Sequence, residues 1–294
     1  MAAFEIPFRG ERLPLNADTR SSAPGRFIQL PNGVTHYQVG GPTGGPPVVL
    51  LHGFSVPFYI WDASFDALTQ AGFRVLRFDF FGRGFSDRPR LPYDRALFTR
   101  QTSDLVHALE FPTPFSLAGL SMGGIIAAEF AVHNPKLVAK LILIDPAGFP
   151  LDFPLSLRIV RIPLLGELLL NLAGPQALLK AMASDLFDPK LVDAFIAQYR
   201  IQMGYKGFFR AILSTMRRDV LADALPTYRR LSESQRPTML IWGRHDETVP
   251  FEYSRMLVDA LPRLQFHPID RAGHLPHYER PEVVNPILVE FLQA

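Results

Sequence analysis

The sequence predicts an α/β fold, in which a mostly parallel eight-stranded sheet carries helices on both faces and one helical cap is inserted after the sixth strand. Short apolar runs alternate with helical patterns along most of the chain, but between residues 148 and 236 only helical patterns occur. Such alternation is typical of parallel sheets covered on both faces. We therefore predict a core domain of residues 1–147 and 237–294 and a cap domain of residues 148–236.

The strand predictions depend on two kinds of pattern. Two short alternating segments, Arg26–Leu30 and Val34–Val39, are separated by Pro31-Asn32-Gly33, a turn signal that predicts a hairpin. The later strands are continuous apolar runs, as expected for strands buried on both faces. They are Val48–Leu51, Arg74–Phe78, Phe115–Ala118, Lys140–Ile144, Thr238–Trp242 and Leu264–Pro268.

Helical patterns fall between the strands and fill the insertion. Because an insertion late in a parallel sheet lies above the strand ends, where open α/β sheets bind ligands, we interpret it as a lid over a site. The core helices are predicted at Ser64–Ala71, Thr99–Leu109, Met122–Val132, Glu252–Leu261 and Glu282–Leu292. The cap helices are predicted at Pro163–Leu172, Pro175–Met182, Pro189–Tyr205 and Phe208–Ala222.

Composition excludes several classes of protein. The 30 Lys and Arg residues nearly balance the 28 Asp and Glu residues, so a formal charge of +2 predicts neither a nucleic-acid partner nor an anionic membrane. No cysteine is present, which excludes thiolate catalysis and disulfides. The leucine-rich run Phe149–Leu172 contains charges and prolines, so we expect no stable membrane insertion. The N-terminus lacks a long apolar stretch of the kind found in secretory signals, so we expect a cytoplasmic protein. We expect it to be a monomer or a homodimer.

A serine nucleophile is predicted by the segment Gly119-Leu120-Ser121-Met122-Gly123, which matches G-x-S-x-G. The five letters alone are a weak signal. Their position is stronger evidence, because they follow a predicted apolar strand directly and precede a helix of small residues, as a nucleophile elbow requires. We therefore predict that the hydroxyl of Ser121 is held at the mouth of the sheet.

A serine hydroxyl needs a general base, and the base needs an orienting acid. His274 follows the last predicted strand and is the candidate base; His52, His245 and His277 are the alternatives.

Asp246 lies four residues beyond the preceding strand and is the candidate acid, because its loop neighbours the loop of His274. Asp145, which follows the sixth strand, and Glu247 remain as alternatives for this role.

The loop after the strand Val48–Leu51 carries His52-Gly53-Phe54 and predicts an oxyanion hole. The backbone N–H groups of Phe54 and Met122 are the candidate donors. Two such donors aimed at a developing oxyanion contribute on the order of 3 kcal/mol each. No metal or cofactor is predicted.

These motifs together resemble the α/β-hydrolase superfamily over nearly the whole chain. The resemblance includes the segment from Asp79 to Pro89, with its aspartate and G-x-G-x-S, as well as Trp242-Gly243 and Gly273-His274. It implies that Asp79, Arg83 and Ser86 are structural, and that the triad order is Ser, Asp, His. Among its subsets the chain is similar to capped carboxylesterases and monoacylglycerol-lipase-like enzymes. Serine at position 121 speaks against dehalogenases and epoxide hydrolases, which carry aspartate there.

The expected substrate is a small-molecule ester with a short to medium acyl chain, or a monoacylglycerol, since an apolar pocket selects chains at roughly 0.8 kcal/mol per methylene. The alternatives are a carbon–carbon bond hydrolase of a dienoic keto acid, a lactonase or perhydrolase, and a receptor with this fold. A keto acid would favour basic residues in the cap, where Arg158, Arg161, Arg210, Arg217 and Arg218 occur. The predicted substrate-binding residues are His52, Gly53, Phe58, Tyr59, Phe187, Met203 and Phe208.

Overall fold

A computed structural model describes residues 8–150 and 155–294, and the eight strands of these residues form one sheet. The strand order is β1-β2-β4-β3-β5-β6-β7-β8. β1 and β4 are antiparallel to β2, and all other neighbours are parallel. The strands are β1 Arg26–Leu30, β2 Gly33–Gly40, β3 Pro47–Leu51, β4 Arg74–Phe78, β5 Phe115–Leu120, β6 Val138–Ile144, β7 Thr238–Gly243 and β8 Gln265–Ile269. The predicted mostly parallel α/β sheet is confirmed.

Helices cover both faces of the sheet because its strands are apolar on both faces. Successive strand residues belong to different buried clusters: Val49 and Leu51 lie in one, and Val48 and Leu50 lie in the other. The helices of the core are α1 Ala17–Ser21, α2 Asp62–Gln70, α3 Arg95–Ala108, α4 Met122–His133, α10 Ser254–Ala260, α11 Pro276–Glu279 and α12 Pro281–Gln293. Short 3-10 helices lie at Phe58–Trp61 and Phe251–Tyr253.

The insertion after β6 is helical throughout its described part. Its helices are α5 Leu155–Val160, α6 Leu165–Ser184, α7 Pro189–Met203, α8 Phe208–Arg217 and α9 Leu225–Leu231. Residues 151–154 of the predicted cap, like residues 1–7 of the N-terminus, lie outside the described residues. Within the described ranges, no helix is both long and apolar enough to span a membrane.

Two cap helices differ from the sequence prediction. The predicted break before Pro175 is wrong, because α6 continues through this proline as a single helix that packs against α7 and α8. Tertiary packing of this kind overrides the local cost of a proline in a helix. The predicted helix from Phe208 ends at Arg217 rather than at Ala222, and Asp219 just beyond it has a positive φ of 52°.

The last helix of the insertion packs on the core. α9 contacts α4 and α10, and the Tyr228 hydroxyl donates a hydrogen bond to the Ala147 carbonyl at 2.5 Å. The Tyr228 ring also stacks on Phe149, with ring centroids 5.9 Å apart.

Candidate active site

Ser121 lies in a sharp turn between β5 and α4. Its backbone has φ 54° and ψ −117°, a region that residues with a side chain rarely adopt. The Ser121 N–H donates to the Ile144 carbonyl at 2.9 Å, while its own carbonyl accepts from Gly124 and Ala147 at 2.9 and 3.1 Å. These three hydrogen bonds hold the strained turn in place, and Ser121 stays 8% exposed at the strand end.

The two glycines of the motif are required by close backbone contacts. A Cβ on Gly119 would lie 2.2 Å from the Gly123 carbonyl oxygen, and one on Gly123 would lie 2.5 Å from the carbonyl oxygens of Leu51 and His52. No side chain fits at such distances. The G-x-S-x-G pattern is therefore a steric requirement of the turn in this chain.

His274 and Asp246 form a buried pair on the loops after β8 and β7. The Nδ1 atom of His274 lies 2.7 Å from Oδ2 of Asp246. The other oxygen, Oδ1, accepts hydrogen bonds from the N–H groups of Thr248 and Val249, both at 2.8 Å. Both side chains are at most 4% exposed. With Nδ1 committed to the carboxylate, Nε2 is the nitrogen left to act as a base.

The alternative histidines are engaged elsewhere. His52 uses both ring nitrogens inside its own loop region, with Nδ1 on the Gly53 carbonyl and Nε2 accepting from the Phe80 N–H, each at 2.9 Å. His245 is exposed, and His277 is buried against Trp61 with ring centroids 4.4 Å apart. Of the four candidate histidines, His274 is the one found in an ion pair with a carboxylate.

The two alternative acids are placed very differently. Glu247 is exposed at the surface. Asp145 is fully buried at the end of β6, where one of its oxygens accepts the Gly243 N–H at 2.8 Å. One oxygen of Asp145, one of Asp246 and a ring nitrogen of His274 all lie within 4.8 Å of one another. This spacing alone would suit a metal ion, but His274 Nδ1 and Asp246 Oδ2 are already hydrogen-bonded to each other.

Burial and charge act in opposite directions on His274. Burial lowers its pKa, but the charge and hydrogen bond of Asp246, together with the charges of Asp185 and Glu279, outweigh burial and raise the pKa of His274 from 6.5 to about 9. The imidazolium that forms when His274 accepts a proton is therefore stabilised. The site is built to hold a positive charge on this ring.

The two candidate oxyanion donors lie next to Ser121. Met122 is the first residue of α4, where an N–H has no partner within the helix. Gly53 packs against the nucleophile, since a Cβ on it would lie 3.4 Å from the Ser121 Cβ. Among the described residues, neither the Phe54 nor the Met122 N–H donates a hydrogen bond to another protein group. Both donors remain available to a ligand.

A buried arginine fixes the oxyanion loop, and sequence reasoning gave it only a general structural role. The Arg83 side chain is fully buried; its Nε donates to the Phe54 carbonyl at 2.8 Å and its Nη2 to Thr215 Oγ1 in α8 at 2.9 Å. Burial lowers the pKa of Arg83 to about 10, so the guanidinium stays charged at neutral pH. It ties the loop beside Ser121 to the cap.

The link between α6 and α7 joins the cap to the loop that carries His274. The Asp185 carbonyl accepts the His274 N–H at 2.8 Å, and the Asp185 carboxylate accepts the Thr248 hydroxyl. Glu279 accepts hydrogen bonds from the N–H groups of Gly273 and Phe187, both at 2.7 Å, and of Asp188 at 2.9 Å. No local motif in the sequence signals these contacts.

The predicted apolar side chains of the substrate site lie in three different environments. Tyr59, Met203 and Phe208 belong to one apolar cluster with Phe54 at the junction of core and cap. Phe58 instead stacks on His36, with ring centroids 4.7 Å apart.

Phe187 lies in a third environment. It is 41% exposed, and its ring stacks on His245 at 4.3 Å. Three of the five predicted apolar side chains therefore belong to, or pack against, one apolar cluster that Phe54 of the oxyanion loop also packs against.

The arginines of the cap are either paired or exposed. Arg161 pairs with Asp219, and Arg217 pairs with Glu167 at 2.7 Å. Arg210 donates to the Arg88 and Pro89 carbonyls. Arg158 and Arg218 lie exposed at the surface. Two of these five side chains are therefore held in ion pairs, one by backbone carbonyls, and two are exposed.

The fold and the site define a hydrolase of the α/β class. The sequence profile of the alpha/beta hydrolase family matches residues 48–287, and the chain belongs to this family. The match covers β3 to α12, including the cap, the elbow and the two loops that carry Asp246 and His274.

Several similar proteins have named activities. The chain is 31% identical over 271 residues to a 2-hydroxy-6-oxononadienedioate/2-hydroxy-6-oxononatrienedioate hydrolase from Burkholderia vietnamiensis, covering 88% of this chain and 90% of that protein. A meta-cleavage product hydrolase from Pseudomonas fluorescens IP01 has a similar structure, with a TM-score of 0.77, 26% identity and coverage of 92% and 97%. An esterase from Thermogutta terrifontis shares the fold, with a TM-score of 0.77, 24% identity and coverage of 92% and 98%.

Proposed function

We propose that this hydrolase cleaves carboxylic esters of short to medium acyl chains through a covalent acyl-enzyme on Ser121. His274 is the general base, Asp246 orients it, and Phe54 and Met122 provide the oxyanion hole. The observation that carries the proposal is the hydrogen bond of 2.7 Å between His274 Nδ1 and Asp246, on the loops next to a serine held in an elbow turn. Ser121 follows the carboxyl end of β5, Asp246 that of β7 and His274 that of β8, so all three residues belong to the same edge of the parallel part of the sheet.

The chemistry proceeds in two halves. Ser121 Oγ attacks the carbonyl carbon while its proton passes to His274 Nε2, and the Asp246 carboxylate stabilises the imidazolium. The oxyanion accepts hydrogen bonds from the N–H groups of Phe54 and Met122. Collapse of this intermediate breaks the bond to the alcohol, which leaves with the proton from His274. A water molecule, deprotonated by His274, then attacks the acyl-enzyme and releases the acid and Ser121.

The surroundings of the site support an apolar acyl group. Met203 and Phe208 belong to one apolar cluster, and Tyr59 and Phe54 of the oxyanion loop pack against it. The five cap arginines that could bind the carboxylates of a keto acid are ion-paired, bonded to backbone carbonyls or exposed. Burial of an acyl chain contributes roughly 0.8 kcal/mol per methylene, so each added carbon should raise kcat/KM about fourfold.

A series of p-nitrophenyl esters from acetate to decanoate tests this proposal. We expect kcat/KM to rise over the first members and then to fall where the chain exceeds the pocket, with Ser121→Ala inactive throughout. A flat response to chain length would contradict the apolar acyl pocket. The absence of hydrolysis of every ester would contradict the ester proposal itself.

A second candidate is hydrolysis of a carbon–carbon bond in a 2-hydroxy-6-oxo-dienoate. It is favoured by the names of the relative from Burkholderia vietnamiensis and of the Pseudomonas fluorescens structure. The same triad would serve, but the substrate carries a carboxylate that needs a cation or several N–H donors. Loss of the dienolate absorbance with a kcat/KM above that for any ester would establish this candidate in place of the first.

A further inference from the structure

Asp145 is a buried carboxyl group that the proposed mechanism does not use. It is 0% exposed and has a positive φ of 39° at the end of β6. Its Oδ1 accepts the Gly243 N–H at 2.8 Å, which fixes the orientation of the carboxyl group. Its Oδ2 is buried and receives no hydrogen bond from an N–H or hydroxyl group of the described residues.

The group that faces Asp145 is the acid of the proposed triad. Oxygens of Asp145 and Asp246 lie within 4.8 Å of each other, and both side chains are buried. Two ionised carboxylates at this separation repel each other, because both are charged and are hydrogen-bond acceptors only. A single proton between them converts the repulsion into a hydrogen bond, as in other buried carboxyl pairs.

The hydrogen bonds around the pair decide which member carries the proton. Asp246 accepts two N–H bonds at Oδ1 and faces the His274 ring at Oδ2, so three contacts stabilise its ionised form. Asp145 accepts one N–H bond. Burial, followed by the Asp246 charge, raises the pKa of Asp145 well above its ordinary value. The ionised member is therefore Asp246.

We infer that Asp145 is protonated in the resting enzyme and donates a hydrogen bond to Asp246, which makes it a positioning residue for the triad. The inference rests on the proposed roles of Asp246 and His274. The neutral carboxyl group holds the Asp246 carboxylate in place without adding a second negative charge beside the imidazole. An ionised Asp145 would instead raise the pKa of His274 further and weaken it as a base at neutral pH.

Asp246, which faces Asp145, and the titratable groups around this carboxyl pair come from four elements. Asp246 belongs to the loop after β7, His274 to the loop after β8, Glu279 to α11 and Asp185 to the end of the cap helix α6. Both Asp246 and Glu279 act to raise the pKa of Asp145. Asp185 has a pKa raised to about 6 by burial, so it is ionised at pH 8 while Asp145 keeps its proton.

Infrared spectroscopy of the wild-type protein at pH 8 tests the protonation directly. We expect a C=O stretching band of a protonated carboxyl group that shifts when aspartate is labelled with 13C at its carboxyl carbon, and that is lost in Asp145→Asn. Absence of the band at pH 8, or its persistence in the variant, would overturn the inference. This readout needs no substrate, so it is independent of the proposed function.

The pH dependence of Ser121 labelling by a fluorophosphonate tests the positioning role. In Asp145→Asn the amide replaces the protonated carboxyl group, so we expect the rate within about threefold of wild type and an apparent pKa within about 0.3 units. Asp145→Ala loses the donor, and we expect it to label at least about tenfold more slowly. A fall of about one unit in the apparent pKa of labelling in Asp145→Asn would show that wild-type Asp145 is charged. Equal labelling rates for Asp145→Asn and Asp145→Ala would show that Asp145 does not position the triad.

Discussion

Replacement of Glu279 by glutamine tests how the cap and the triad are joined. The two oxygens of Glu279 accept three hydrogen bonds from backbone N–H groups: Oε1 from Gly273, and Oε2 from Phe187 and Asp188. A glutamine keeps one oxygen but presents an NH₂ group on the other side. At least one of the three N–H groups must then face a donor and lose its partner.

The expected loss of stability follows from these bonds. A hydrogen bond to a charged group contributes roughly 1.5–3 kcal/mol, and a buried N–H without a partner costs a similar amount. Burial raises the pKa of Glu279, so removal of the charge recovers part of this loss. We expect Glu279→Gln to lower the free energy of unfolding by about 2 kcal/mol and Tm by roughly 3 °C.

Denaturant unfolding and ester hydrolysis measure the two consequences. Because Gly273 precedes His274, we expect kcat to fall about tenfold, which corresponds to a barrier raised by 1.4 kcal/mol. Glu282→Gln is the matched control: its side chain is 60% exposed and pairs with Arg280, so its loss should cost less than about 0.5 kcal/mol. Equal stability and equal kcat for both variants would refute the structural role of Glu279.

Three further predictions follow from the geometry. Asp246→Asn should lower kcat/KM of ester hydrolysis by about 10³–10⁴ while the unfolding transition stays cooperative, and activity near that of wild type would contradict its role. Gly123→Ala should cost more than about 3 kcal/mol in chemical denaturation because its Cβ would lie 2.5 Å from two carbonyl oxygens, whereas Gly44→Ala, with nothing within 4 Å, should be neutral. Burial raises the pKa of Asp185 to about 6 from 3.8, so the folded protein holds this proton more tightly and wild-type stability should fall as pH rises between these values. Asp185→Asn should lack this fall in stability. Because the substitution removes a negative charge near His274, it should also shift the acid limb of the pH profile of kcat/KM to lower pH. An unchanged profile would show that the Asp185 charge does not affect the pKa of His274.

Local patterns in the sequence were sufficient to predict the fold and the nucleophile turn. The apolar runs predict strands because both faces of this sheet are covered, and G-x-S-x-G predicts the elbow because Gly119 and Gly123 have no room for a Cβ. His274 and Asp246 could be proposed because parallel strands end at one edge of the sheet. Their loops meet there, and His274 Nδ1 lies 2.7 Å from Asp246 Oδ2.

Contacts between distant parts of the chain could not be predicted in this way. Glu279 binds Phe187 across 92 residues, and Arg83 binds Thr215 across 132. Such pairs have no periodicity or motif, since they depend on how the cap settles on the core. The prediction that Pro175 separates two helices fails for the same reason, because packing of α6 decides its length.

The central claim is that Ser121 is the nucleophile of a histidine-activated site. Intact-protein and peptide mass spectrometry after reaction with a fluorophosphonate tests it most directly. We expect one adduct per chain, located on Ser121, with labelling lost in Ser121→Ala and slowed strongly in His274→Ala. A wild-type protein that stays unlabelled, or a Ser121→Ala variant that labels equally fast, would contradict the account.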